Sequence, residues 1–291
     1  MHICVCICTY KRPRLLALLL RRLALQHTAG EFSYSIVVAD NDAAQSARAT
    51  VAEAAAYSPV ATVYCHEPRQ NIALVRNQAL AHARGDFIAF IDDDEYPDDR
   101  WLLNALHTCQ QYGVAGVLGP VRPYFDHKAP DWLVKGGFCE RPEYPTGRVL
   151  AWRETRTGNV LFRGELVRGN AAPFRAAFGL GGEDQDFFKR LIEQGAVFVW
   201  CNEAVVHELV PPERCKRRYM LERAWLRGQN EQSLADAYGI CKSLVAVPAY
   251  LLLLPFTALR GSSVSMRYLI RLCDHAGKLL GLFGVRPLAK R

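Results

Sequence analysis

Short apolar runs alternate with longer segments of helical pattern through the first half of the chain. The apolar runs, which are typical of buried strands, lie at 3–8, 34–39, 61–65 and 87–91. Segments of helical spacing or composition lie at 11–26, 43–57, 72–84 and about 99–112. Strands separated by helices of this length predict an α/β fold with a mostly parallel sheet flanked by helices. Ligands of such sheets bind at the carboxyl ends of the strands.

The second half begins with residues 120–156, where prolines and aromatic residues occur without a periodic pattern. This composition predicts an irregular segment that borders a binding surface. Further strands are predicted at 159–163 and 197–201, and further helices at 183–193 and 213–228. We therefore predict that residues 1–230 form the globular domain.

Residues 231–291 differ from the rest of the chain. Ser243–Leu259 is an apolar run of 17 residues, at the lower limit for a membrane span, and two prolines interrupt it. Apolar residues then recur at helical spacing while cations take other positions: Met266, Leu269, Ile270, Cys273 and Leu280 against Arg267, Arg271 and Lys278. This pattern predicts a basic amphipathic helix at an anionic membrane surface. A core helix packed on the domain and a true span are the alternatives.

The distribution of charge supports an anionic partner for the C-terminal part. Residues 210–291 hold 14 Lys and Arg against 5 Asp and Glu, so their net charge is +9 within a chain of +7. Nucleic acid is not the expected partner, because the basic tract alternates with leucines rather than with exposed stacking aromatic residues. Ten cysteines without a C-x-x-C pair, and an N-terminus unlike a signal peptide, predict buried reduced thiols and a cytoplasmic protein.

Four acids, Asp92-Asp93-Asp94-Glu95, follow the apolar run at 87–91 directly. Adjacent carboxylates repel one another and are stable where a hard cation neutralises them. A divalent metal, Mn²⁺ or Mg²⁺, held by one or two carboxylates and completed by diphosphate oxygens and water, fits this pattern. The alternative is a solvated turn that caps the next helix.

A second acidic motif is Gly181-Gly182-Glu183-Asp184. Two glycines allow the backbone to approach a ligand closely. A carboxylate after them is a candidate general base that takes a proton from an acceptor hydroxyl. The alternative is that both acids only complement the helix dipole in a first turn.

Other candidate residues lie at the ends of predicted strands. Thr9, Tyr10 and Arg12 belong to a strand-to-helix loop that suits a nucleotide diphosphate, although neither G-x-G-x-x-G nor a P-loop is present. The remaining candidates are each more common as turn, surface or structural residues: Asp40, Asn71, Arg76 and His207.

The order of these motifs resembles glycosyltransferase family 2 with a GT-A fold. The motifs downstream, from His207 to Pro211 and from Arg223 to Gly228, resemble a bacterial exopolysaccharide subgroup of succinoglycan type. The resemblance covers about residues 1–230 and implies a nucleotide-binding half at 1–119 and an acceptor and catalytic half at 120–230. Ala73 departs from the pattern, because many relatives have glycine at that position.

The resemblance also implies roles for single residues. Thr9, Tyr10 and Arg12 would line the pocket of the nucleotide-sugar donor, and Asp40 would face the base. Asn71 and Arg76 would support base or ribose, and Asp92, or Asp93 in its place, would contact ribose or metal-bound water. Gly181 and Gly182 would border the sugar. Asp94 would hold the metal, with His207 as an additional metal or diphosphate ligand. Asp184 would be the general base, oriented partly by Glu183.

These implications predict an inverting transferase that moves a sugar from a UDP-sugar to a glycan or lipid-linked acceptor. The acceptor would bind among the aromatic residues of 120–157, and the enzyme would attach peripherally to the cytoplasmic face of the cell membrane. The sequence is also compatible with two other functions. A nucleotidyltransferase would also use clustered acids and Mg²⁺, and a non-catalytic membrane-binding protein would use only the basic end.

Overall fold

The computed structural model describes the chain except residue 180, residues 232–236 and residues 283–291. The last nine residues, which the sequence assigns to the membrane-associating segment, therefore lie outside the described residues. The chain forms two compact units. The first comprises Met1–Pro123 and Arg141–Leu209, and the second comprises Tyr124–Glu140 and Val210–Arg291.

Two sheets contain the strands that the structure describes. The larger sheet has the order β3-β2-β1-β4-β8-β6-β9. Its strands in chain order are β1 (His2–Thr9), β2 (Ser33–Asp40), β3 (Thr62–His66), β4 (Phe87–Asp92), β6 (Gly116–Leu118), β8 (Val160–Arg163) and β9 (Phe198–Trp200). The smaller sheet has the order β5-β10-β7 and consists of β5 (Glu95–Pro97), β7 (Val121–Tyr124) and β10 (Val206–Leu209).

Six helices precede or follow these strands up to residue 193. They are α1 (Pro13–Leu23), α2 (Arg48–Tyr57), α3 (Ile72–His82), α4 (Trp101–Gln111), α5 (Asp131–Gly136) and α6 (Glu183–Glu193). Three more lie in the second unit, namely α7 (Arg217–Glu231), α8 (Ala237–Thr257) and α9 (Ser262–Leu282).

The predicted α/β fold with a mostly parallel sheet is confirmed. Strands β1, β2, β3 and β4 pair in parallel, as do β6 and β9. Strand β8 is the exception, because it lies antiparallel between β4 and β6. Its amino end therefore lies at the same edge of the sheet as the carboxyl end of β4.

Strand β1 is buried on both faces, which explains its unbroken apolar sequence. Ile3, Val5 and Ile7 join the core that includes the leucines of α1, whereas Cys4 and Cys6 join the core that includes α3. All ten cysteines are free thiols, and most are buried, as the spacing predicted. Burial raises the pKa of the Cys65 thiol to about 12, so this thiol stays protonated and acts as an apolar packing residue.

The prediction of an irregular segment over 120–156 was wrong in part. Residues 121–124 form β7 and residues 131–136 form α5. Strands β5 and β6 were not predicted either, because three residues are too few to show a period. Helix α2 begins at Arg48 rather than at 43, because the carboxylate of Asp40 accepts a hydrogen bond from Ala47 N and holds the preceding residues in a loop.

In the second unit, α9 packs on α7, α8 and α5. The crossing of α7 and α9 is close, since a Cβ added to Gly228 or Gly277 would overlap the backbone of the facing helix. Helix α8 runs through Pro248 and Pro255, so the expectation that these prolines interrupt the segment was wrong for the helix itself. Residues Gly239–Thr257 form one helix that is long and apolar enough to cross a membrane, and only 6% of it is buried in the protein.

Candidate functional site

The candidate site lies at one edge of the larger sheet. Thr9 ends β1 and Asp92 ends β4, and these two parallel strands are direct neighbours. Val160 at the start of β8 is paired with Phe90, so the residues before β8 reach the same edge. A Cβ built on Gly158 would lie 3.0 Å from Asp92 Oδ2 and 3.0 Å from Glu95 Oε1. The segment before β8 is therefore in contact with the acidic motif.

The acids of this motif are held by the loop after β1. Thr9 Oγ1 donates to Asp93 Oδ2 at 2.7 Å. Arg12 Nη1 donates both to Asp93 Oδ1 at 2.9 Å and to Asp94 Oδ2 at 3.0 Å. Both carboxylates are buried, whereas 41% of the Arg12 side chain is exposed. The structure thus brings Thr9, Arg12, Asp93 and Asp94 together, as the sequence predicts for one site.

The electrostatics of the motif favour a bound cation. Burial and the neighbouring carboxylates together raise the pKa of Asp92 to about 6, although the charge of Arg76 opposes this rise. Burial also raises the pKa of Asp93 and that of Glu95. Glu95 Oε1 is buried without a hydrogen-bond partner in the described part of the chain. A divalent cation with a preference for oxygen ligands would offset this repulsion.

The ligand set fits Mg²⁺ or Mn²⁺ rather than a closed structural metal centre. Within the described residues, no three His, Cys, Asp or Glu side chains converge as ligands. Mg²⁺ is usually bound through one or two carboxylates together with substrate phosphates and water. Asp94 and one neighbouring acid meet that requirement.

Arg76 connects this motif with the second one. It lies on α3 and donates to Glu183 Oε1 in the first turn of α6, and both side chains are buried. Besides Glu183, the negative charges of Asp92 and Asp184 stabilise the cation of Arg76. Burial raises the pKa of Glu183, and the charge of Arg76 opposes that rise. The contacts of Arg76 are therefore with the acids, while its predicted contact with base or ribose stays a prediction.

Asp184 is the second residue after two glycines with left-handed backbone conformations. The φ angles of Gly181 and Gly182 are 123° and 92°, which only glycine adopts readily. The carboxylate of Asp184 accepts from Gln185 N at 2.8 Å and is only partly buried. A carboxylate in the first turn of α6 also fits the alternative that Asp184 only complements the helix dipole. Because its side chain is partly exposed, it is nevertheless accessible to a substrate.

Asp40 and Asn71, which are predicted to contact the nucleotide, form hydrogen bonds with residues close to them in the chain or in the sheet. The buried carboxylate of Asp40 accepts from Asp42 N, Ala47 N and Tyr64 Oη. Asn71 is the N-cap of α3, where its Oδ1 accepts from Ala73 N and Leu74 N. Both residues shape loops beside the site, and the direct contacts with base or ribose stay predictions.

Tyr10 and His207 lie at the margins of the site. Tyr10 is exposed, and the ammonium group of Lys11 lies over its ring. His207 stacks on Tyr96 with ring centroids 5.2 Å apart, and its Nε2 pairs with Asp98 Oδ1 at 3.0 Å. These contacts hold the imidazole ring of His207 in place. Its role as a metal or diphosphate ligand stays a prediction.

Two arginines near the acids were missed in the sequence. Arg141 Nη2 donates to Glu208 Oε2, and its charge also acts on Asp92 and Glu95. Arg156 lies two residues before Gly158, close enough for the charges of Glu95 and Asp184 to act on it. No spacing rule marks either residue, because single arginines in an aperiodic segment carry no motif.

Comparison with known proteins decides the family. The model of the family described as "Glycosyl transferase family 2" matches residues 4–169, which is more than half of the chain. The chain belongs to glycosyltransferase family 2. The chain is also 36% identical to the succinoglycan biosynthesis protein ExoM of Rhizobium meliloti, over 99% of this chain and 95% of that protein. The chondroitin synthase of Escherichia coli is 26% identical over 70% of this chain, which spans 34% of that longer protein.

Solved structures show the GT-A fold for this glycosyltransferase. The mannosyltransferase PcManGT from Pyrobaculum calidifontis, in complex with GDP-Man and Mn²⁺, superposes with a TM-score of 0.64 over 96% of this chain and 86% of that one. TarS 1–349 of S. aureus in complex with UDP-GlcNAc gives a TM-score of 0.57 over 97% and 90% of the two chains. Their sequence identities are 19% and 16%, so they speak for the fold alone.

We expect the Arg76–Glu183 pair to be strongly coupled, because each charge is buried against the other. Arg76→Met should lower the free energy of unfolding by about 3–5 kcal/mol, since it leaves a buried carboxylate uncompensated. The double variant with Glu183→Gln should lose clearly less than the sum of the single variants. Urea denaturation of the four proteins measures this coupling.

The exposed pair Arg218–Glu222 on α7 is the matched control, and its coupling should be below about 0.5 kcal/mol. Additive effects at Arg76 and Glu183 would show that the two side chains do not depend on each other.

Proposed function

We propose that this glycosyltransferase is an inverting, metal-dependent enzyme that moves a sugar from a UDP-sugar to a glycan or lipid-linked acceptor. The observation that carries the proposal is the buried Arg76, whose charge connects the acids at the end of β4 with Glu183 and Asp184. Similarity to a succinoglycan biosynthesis protein supports a role in cell-surface polysaccharide synthesis. The UDP-sugar bound to TarS supports the donor class.

The loop after β1 forms the diphosphate side of the proposed donor pocket. Arg12 has an exposed part and holds Asp93 and Asp94 in position. Exposed Tyr10 offers an aromatic surface for the nucleotide. Asp94, with Asp92 or Asp93, would hold Mn²⁺ or Mg²⁺, which supplies positive charge to the diphosphate leaving group. Side chains of the protein remove the proton of the acceptor and position the base.

Asp184 is the proposed base. Its carboxylate takes the proton of the acceptor hydroxyl while that oxygen bonds to the anomeric carbon and the bond from the carbon to the UDP oxygen breaks. Glu183 stays in place through Arg76, so the first turn of α6 keeps one orientation. Attack opposite to the leaving group inverts the anomeric configuration and yields a β-linkage from an α-linked donor.

We expect Asp94→Ala to weaken UDP binding in the presence of Mn²⁺ by about tenfold or more, because one carboxylate fewer remains to hold the cation against the diphosphate. Titration calorimetry with UDP, with Mn²⁺ and with EDTA, measures the effect. Asp99→Ala, an exposed acid five positions further along the chain, should bind as the wild type does. Wild-type affinity in Asp94→Ala would remove Asp94 from the donor site.

Asp184→Asn should lower sugar transfer by about 10²-fold or more while UDP-sugar binding persists, because the amide keeps the size of the side chain but cannot accept the proton. Release of UDP from a panel of UDP-sugars in the presence of acceptor-containing membranes measures turnover. Glu193→Gln at the other end of α6 is the control. Near-normal turnover in Asp184→Asn would restrict Asp184 to its role in the first turn of the helix.

The second unit supports peripheral attachment to the cytoplasmic face of the membrane. Helix α8 exposes large apolar side chains, among them Val245, Leu252 and Phe256, each more than 60% exposed. Met266 of α9 is instead buried, and α9 packs on α7 and α8. We therefore assign the apolar contact with lipid to α8 and the contact with anionic headgroups to the exposed cations of α9, Arg267 and Arg271.

The double variant Leu252→Glu/Phe256→Glu of the full chain should bind liposomes that contain phosphatidylglycerol at least about tenfold more weakly, because charged groups then face the acyl chains. Flotation at low salt measures binding. Leu18→Glu/Leu25→Glu introduces the same charges at exposed apolar positions outside the second unit and should float like the wild type. Equal flotation of both double variants, or none by the wild type, would contradict attachment through α8.

A further inference from the structure

The acids of the site are surrounded by four arginines, and three of them have a defined carboxylate partner. Arg12 pairs with Asp93 and Asp94, Arg76 with Glu183, and Arg141 with Glu208. Arg156 is different: in the described part of the chain it makes neither a hydrogen bond nor an ion pair, and its Nε is buried without a partner. A guanidinium group in this state lacks the compensation that partly buried charges usually have.

The backbone that carries Arg156 is fixed rather than adjustable. Three residues further, Asn159 has a left-handed φ of 59°, and its side chain bonds to Pro120 O, Ala204 O and Trp101 Nε1. Gly158 is in contact with Asp92 and Glu95. The backbone position of Arg156 beside the acids is therefore set by the fold.

Unpaired buried polar atoms concentrate at this position. In the described residues, four of the seven such atoms belong to the candidate site: Glu95 Oε1, Arg156 Nε, Thr157 Oγ1 and Glu183 Oε2. Buried polar groups normally have partners, and each exception requires an explanation. A substrate that brings a hydrogen-bond acceptor explains the unpaired atoms of Arg156 and Thr157, whereas the cation proposed for the acidic motif explains that of Glu95.

The charge of the missing partner follows from the surroundings of Arg156. Burial and the charge of Arg141 together lower the pKa of Arg156 to about 10, although the charges of Glu95 and Asp184 oppose this in part. A neutral hydroxyl would accept a hydrogen bond but would leave the charge uncompensated. An anion accepts the hydrogen bond and also compensates the charge.

The topology indicates which substrate carries that anion. The loops proposed for the nucleotide follow β1 and β2, on one side of β4 in the sheet order. Arg156 precedes β8, on the other side of β4, and the charge of Asp184 reaches it. Asp184 is the proposed base, so the substrate beside Arg156 is the one that loses a proton.

We propose that Arg156 is a specificity-determining residue that binds a carboxylate or phosphate group of the acceptor beside the attacking hydroxyl. The proposal rests on the proposed function and adds to it that the acceptor is anionic near its reacting end. Two sources share this chemistry: an acidic sugar residue and the phosphate of a lipid carrier.

Two pairs of probes of matched shape separate these sources. Methyl β-glucuronide and methyl β-glucoside differ in a carboxylate, and geranyl phosphate and geraniol differ in a phosphate. Ligand-observed NMR titrations use the full chain saturated with UDP and Mn²⁺. We expect the wild type to prefer one anionic probe over its neutral partner by about tenfold, the scale of one charged hydrogen bond.

The variants assign the preference to Arg156. Arg156→Met should abolish it, Arg156→Lys should retain part of it, and Arg153→Met, an exposed arginine on the same segment, should leave it unchanged. Equal binding of charged and neutral probes by the wild type, or a preference that persists in Arg156→Met, would overturn the proposal. A loss of UDP affinity in Arg156→Met would also overturn it, because Arg156 would then serve the donor. A wild type that does not bind UDP would instead refute the proposed function.

Discussion

Confinement of negative charge at one edge of the sheet is the constraint on which the site depends. Asp93, Asp94 and Glu95 are each less than 10% exposed, so their repulsion is not relieved by water. Arg12 offsets it from the loop after β1 and Arg76 from α3. The positions of this loop and of α3 are therefore set by charge interactions with the acids as well as by apolar packing.

The same constraint explains why Arg76 is buried at a site that handles polar substrates. A cation between Glu183 and the charges of Asp92 and Asp184 lets the two acidic motifs lie close together. Without it, the end of β4 and the start of α6 would repel each other. The loops at Asp40 and Asn71 are fixed by hydrogen bonds from backbone N–H groups instead of by ion pairs.

The sequence predicts the parallel core well, because strands such as Phe87–Ile91 are long, apolar and followed at once by acids. It also predicts which residues meet at the edge of the sheet, as Thr9, Arg12, Asp93 and Asp94 show. It does not predict the antiparallel insertion of β8, since a strand of four residues, three of them apolar, contains no information on direction. The position of Arg156 beside the acids depends on that insertion, so no local pattern could reveal it. The continuity of α8 through Pro248 and Pro255 was not predicted either, because the local propensity of proline disfavours a helix interior.

Because residues 156–159 are anchored through Asn159, position 159 contributes to stability and position 156 is free to contribute to substrate preference. The side chain of Asn159 bonds to Trp101, Pro120 and Ala204 in three other segments, so its replacement would lower the stability of the fold. Position 156 contributes a side chain but no hydrogen bond to the described structure. Under the proposal that Arg156 binds the acceptor, a mutation at this position changes the acceptor that is preferred without removing a hydrogen bond from the scaffold.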